Sequence, residues 1–149
     1  MLVRMGLLID YFVAASDADA RGVLQHGPGG RLTWTDGSGI EPTVNLGQLE
    51  ELLTGKTFDE QLDDQASYAV IASSEDNEVG VIRLETGFVR ALADADPPTL
   101  DRLATPRSKI EEFGGMADPV YLADFLHRLR ELAQTAIAGN AGLYCWISV

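Results

Sequence analysis

Residues 118–149 read DPVYLADFLHRLRELAQTAIAGNAGLYCWISV, and this stretch sets the fold class. Asp118 followed by Pro119 predicts a helix start. The aspartate can cap free amides, and proline at the first helical position has a suitable φ and no N–H to satisfy. Leu122, Phe125, Leu126, Leu129, Leu132, Ala133 and Ala136 recur at intervals of 3, 1, 3, 3, 1 and 3, which puts them on one stripe of a long helix. Gly139, Asn140 and Gly142 end it. Beyond them Leu143, Cys145, Ile147 and Val149 alternate with Tyr144, Trp146 and Ser148, the period of a strand. A helix with such a stripe needs an apolar sheet face to receive it.

Further upstream, residues 68–74 and 79–85 are rich in β-branched and apolar side chains and flank the polar turn Glu75-Asp76-Asn77-Glu78, which predicts a hairpin. Residues 6–14, GLLIDYFVA, predict a buried first strand. Ser16 with Asp19 has capping-box spacing and predicts a short helix to about residue 25. Glycine-rich turns bracket residues 31–35, where Leu32 and Trp34 share a face, so this is an edge strand or an ordered loop.

Asn45 can cap a helix carrying Leu46, Leu49, Leu52 and Leu53 and closed by Gly55. Thr57 with Glu60 repeats the capping spacing for a helix over 58–64. Thr86 is read as the cap of a helix reaching Asp94, and Pro97-Pro98 open another that Pro106 breaks. Residues 107–117 are left as a connector around Ile110 and Phe113. The expectation is an α+β fold over residues 1–149 as one domain: a small mixed or antiparallel sheet of about four or five strands, packed against the long C-terminal helix and several short ones.

Charge is the most distinctive property of the chain. Eleven basic residues stand against twenty-three acidic ones, a net charge of -12 that repels phosphate backbones and argues against direct nucleic-acid binding. From Asp36 to Asp64 there are eight acids and one base, Lys56. An electrostatically steered partner should therefore be a basic protein meeting that segment; Glu50, Glu51, Asp59, Glu60, Asp63 and Asp64 are the candidate interaction residues. The alternative is a solvated acidic face.

The single cysteine, Cys145, excludes an intrachain disulfide, and its place in an apolar alternation predicts burial as a small hydrophobe. Asp10 interrupts the apolar run near the start, unlike a signal peptide, and no segment reaches the roughly 18 apolar residues of a membrane span. A cytoplasmic location with no membrane partner is expected.

Motifs for chemistry fail on spacing. Gly55-Lys56-Thr57 ends like a phosphate loop, but the first glycine would fall at Glu50. Asp17 and Asp19 begin like a calcium loop, yet Arg21 stands at a ligand position and Pro28 where the bidentate glutamate belongs. Asp124 and His127 have the spacing of a di-metal bundle without a second pair; with Arg128 and Glu131 they read as the wet side of the long helix, joined by local ion pairs. A nucleophile would have only His26 or His127 as a base. Trp34, Tyr144 and Trp146 are read as sheet-face packing, with a binding surface as the alternative. Thus no catalytic residue, metal ligand or cofactor is predicted.

Three stretches carry a resemblance: Met5-Gly6-Leu7-Leu8 leading into a strand, Leu53-Thr54-Gly55 closing a Leu-rich helix, and the ending YLADFLHRLRELAQTAIAGNAGLYCWISV. Together they resemble the YfbM-like family of small bacterial domains of unknown function, and the Leu-Tyr-Cys-Trp strand is similar to uncharacterised actinobacterial proteins. The resemblance implies a fold and no reaction, and implies Met5 as the natural start. The leading functional expectation is a non-enzymatic binding protein of the immunity or antitoxin kind. A small-molecule-binding domain or enzyme with a carboxylate-lined pocket, and an oligomeric accessory component joined along its terminal strand, are the alternatives.

Overall fold

The computed structural model describes residues 8–29, 32–37, 68–76, 78–108 and 119–148. The elements are β1 (Leu8–Ala14), α1 (Asp17–Arg21), β2 (Trp34–Asp36), β3 (Tyr68–Ser73), β4 (Val79–Leu84), α2 (Thr86–Asp94), α3 (Pro97–Ser108), α4 (Pro119–Ala138) and β5 (Gly142–Ser148). The five strands form an antiparallel sheet in the order β2-β1-β5-β4-β3. This is the expected α+β fold. The segments expected as helices over 45–55 and 58–64, and the connector around Ile110 and Phe113, lie outside the described residues.

The sheet is buried on both faces. On one, Ile9 and Tyr11 of β1, Leu84 of β4 and Leu143 and Cys145 of β5 meet α2, α3 and the stripe of α4. All seven stripe residues of α4 are buried, and Tyr11 and Phe125 close the helix–sheet contact with ring centroids 5.5 Å apart. Arg130 Nε donates to the Ala95 carbonyl at 2.5 Å and Gln134 Nε2 to that of Ala93 at 3.3 Å, tying α4 to the end of α2. A guanidinium there also answers the negative end of that helix's dipole.

On the second face Phe12, Ala14, Val81, Tyr144 and Trp146 pack with Ala20 and Val23. Phe12 and Tyr144, opposite each other across β1 and β5, stack at 5.5 Å. Tyr144 and Trp146 are thus packing residues, as expected, and Trp146 Nε1 donates to the Leu24 carbonyl at 2.9 Å. Gly27, at φ 78, lies close against the Trp146 ring, and its left-handed backbone favours glycine there.

Several local expectations are corrected. The side chain capping α2 is Glu85, whose carboxylate accepts from the Gly87 and Phe88 amides at 2.9 and 3.0 Å; Thr86 is the first helical residue. Helix α3 runs past Pro106 to Ser108. Proline there withholds only the one amide that would serve carbonyl 102, within the last turn, so the loss is local. Helix α4 ends at Gly139 and Asn140 as expected, and the left-handed residue is Asn140 (φ 52), with Ala141 N donating to Ala136 O at 2.7 Å and Asn140 N to Ile137 O at 3.2 Å. Those two bonds make the Schellman pattern, with asparagine in glycine's usual place. Helix α1 stops at Arg21 and continues as turns; its Ser16 cap accepts from Asp19 N as expected.

The terminal strand forms where its alternation predicts it and lies at the centre of the sheet. An oligomer interface along β5 would need a free edge, whereas β5 is the central strand, paired with β1 on one side and β4 on the other.

Candidate functional site

The alternation that buries Phe12 and Ala14 also turns Asp10 toward the second face, two pairs in from the start of β1. Its partner on β2 is Asp36. Bonds from Gly37 N to Ile9 O (2.7 Å) and from Val13 N to Thr33 O (3.0 Å) mark the hydrogen-bonded rungs of the β1–β2 ladder. Asp10 and Asp36 therefore form a non-hydrogen-bonded pair, the arrangement in which opposed side chains come closest. Trp146 occupies the next position across the sheet, on β5. Burial first, and the Asp36 charge second, push the Asp10 carboxyl up to about 6. Two like charges opposite each other at a partly buried position are a repulsive pair that a proton or an approaching cation relieves.

Edge strand β2 is held in place by the long helix. Arg128 Nη1 donates to Thr35 Oγ1 at 2.6 Å and to the Asp36 carbonyl at 3.4 Å, while its Nε donates to Asp124 at 3.0 Å. Its guanidinium also lies 5.9 Å from the centroid of the Phe125 ring. The expected Asp124–Arg128 ion pair is present, but Arg128 also reaches the sheet edge. An open groove of about 240 Å³ runs between β2 and α4, lined by Thr33, Trp34, Thr35, Arg128, Glu131, Leu132 and Thr135. Trp34 is exposed there, unlike the other two aromatics expected on sheet faces.

A second polar cluster joins the short helix to the sheet. The Tyr144 hydroxyl donates to Asp17 Oδ1 at 2.7 Å, and Arg83 Nη1 donates to Asp17 Oδ2 at 2.6 Å. Burial and the bond to Asp17 raise the phenol well above its ordinary range, so it stays protonated as a donor. Arg21 Nε donates at 2.9 Å to the carbonyl of Ile71, at the bulge in β3. Asp17 is thus a structural clamp between α1, β4 and β5.

His127 Nε2 lies 2.8 Å from Asp101 Oδ1 on α3. Cys145 is fully buried, as expected. Among the described residues no group of three metal-ligating side chains exists, and no helix is long and apolar enough to cross a membrane. The candidate interaction residues Glu50, Glu51, Asp59, Glu60, Asp63 and Asp64 lie outside the described residues. Sequence reasoning missed the Asp10–Asp36 pair; its one visible signal was that Asp10 is in phase with Phe12 and Ala14 in the alternation of β1.

Comparison with protein-family models, with curated proteins and with solved structures returned no match.

Proposed function

We propose that this chain is a cytoplasmic protein-binding domain that engages a basic protein partner, in the manner of immunity or antitoxin proteins. The observation that carries the reading is the concentration of acids from the last residue of β2 onward: Asp36, opposed to Asp10 on the sheet, opens a segment to Asp64 with eight acids and only Lys56 to offset them. A lysine or arginine arriving at such a surface gains short-range attraction, and the net charge of -12 accelerates its approach. The resemblance at Met5–Leu8, Leu53–Gly55 and residues 121–149 further leads us to infer kinship with the YfbM-like domains, which adds no reaction.

The test is capture of a partner from the native lysate at low and high salt, using the wild-type chain and one in which Glu50, Glu51, Asp59, Glu60, Asp63 and Asp64 are changed to lysine. A basic partner lost both at high salt and on charge reversal is the expected result. Recovery of none at low salt, or a partner indifferent to the reversal, refutes the proposal. The second reading, a small-molecule site or enzyme, draws on the raised Asp10 beside Asp36, since such pairs serve as acids and bases in active sites. Asp10 does not line the β2–α4 groove, so the binding reading is preferred.

A further inference from the structure

In a chain with twice as many acids as bases, one cavity is lined by arginines. It measures about 110 Å³ and sits where the end of β4, the start of α2 and the turn between α4 and β5 converge. Arg83, Thr86, Arg90 and Asn140 supply its polar lining, Leu84, Val89, Ile137 and Leu143 its apolar walls, and no carboxylate contributes. The nearest acid in sequence, Glu85, has its carboxylate turned onto the Gly87 and Phe88 amides. The Arg83 guanidinium is already paired, its Nη1 donating to Asp17 Oδ2 at 2.6 Å, whereas Arg90 makes no hydrogen bond or ion pair among the described residues and is the cation at the cavity open to a ligand.

We propose that this cavity binds a small free anion bearing a phosphate or carboxylate group. Its volume accommodates a few waters or one such group. Guanidinium groups meet oxyanions through paired, charge-assisted hydrogen bonds, stronger than neutral ones, and the Thr86 hydroxyl and Asn140 amide add donors of the kind that fix orientation. The overall negative charge opposes long-range attraction of any anion, so recognition rests on this local donor set. A purely structural role is the competing explanation, because Arg90 and Arg83 lie near the C-terminal end of α4, where cations are favoured.

Calorimetry and thermal denaturation with inorganic phosphate and with succinate, each against sodium chloride at matched ionic strength, separate the two. Saturable binding of phosphate or succinate is expected, weakened about tenfold by Arg90→Gln and unaffected by Arg102→Gln. Arg90 is exposed, so its variant should keep the wild-type melting temperature in chloride. Binding equal in wild type and Arg90→Gln, or no saturable binding, overturns the proposal. A melting temperature lowered by Arg90→Gln in chloride, with no anion dependence in the wild type, assigns the arginine to structure and likewise overturns it.

Discussion

Replacing Asp10 with asparagine should stabilise the protein at neutral pH, although it deletes a charged residue from a buried-edge pair. In the folded chain the Asp10 carboxyl is pushed up to about 6 by burial and then by Asp36, while in the unfolded chain it ionises near its ordinary value of 3.8. A group with a raised folded pKa holds more protons folded than unfolded between those values, so for an acid the stability falls as pH rises through that window. At face value the shift corresponds to ~3 kcal/mol. Asp10 is only partly buried, and solvent screening brings the expected cost to ~1–2 kcal/mol. Asparagine keeps the shape without the charge. The variant and the wild type should converge toward about pH 4, separate between about pH 4 and 6, and stay apart above that. At about pH 8 the variant should melt roughly 3–6 °C higher for a domain of this size. Urea denaturation across the pH range measures the difference curve, in which the other carboxylates cancel. A variant less stable than wild type at pH 8, or a difference that does not change with pH, would refute the electrostatic reasoning.

Other perturbations bear on the scaffold. Gly37→Ala should destabilise by ~1–3 kcal/mol, because its Cβ would overlap the buried Tyr11 ring where β2 leaves the sheet; urea denaturation measures it. Glu85→Ala should cost ~1 kcal/mol by uncapping α2, and Thr86→Ala far less, a ranking that thermal melts resolve and that reverses if Thr86 is the cap after all. Cys145 should be inert to thiol reagents in the native protein and react fully in denaturant, since it is completely buried; rapid native labelling would contradict the packing described.

The parts of the fold legible in the sequence are those where one periodicity dominates. The apolar stripe of α4, the alternation of β5, the β3–β4 hairpin and the Ser16 cap are all local, and each lies where expected. The order of the strands was not legible, because pairing β5 between β1 and β4 depends on contacts far apart in sequence. The end of α4 was legible as Gly139, Asn140 and Gly142, but which of them takes the left-handed position was not, because Gly139 and Asn140 both suit it and only the bond from Ala141 to Ala136 distinguishes them. Glu85 was overlooked beside Thr86 because short hydroxyl side chains are the commoner caps. The acidity of residues 36–64 was visible as composition, whereas the facing of Asp10 and Asp36, twenty-six residues apart, required the register of two strands. Arg83 and Arg90 gave no signal at all, since their shared cavity is formed by three elements that meet only in the folded chain.

The position of β5 also orders events during synthesis. The β1–β2 pair and the β3–β4 hairpin sit on opposite sides of a strand that the ribosome makes after everything else described here, so the two halves of the sheet remain unjoined until residues 142–148 emerge. Until then their inner edges carry backbone groups that β5 will later satisfy, and chains truncated before Gly142 should be more sensitive to protease and more dependent on chaperones than chains that include residues 142–148.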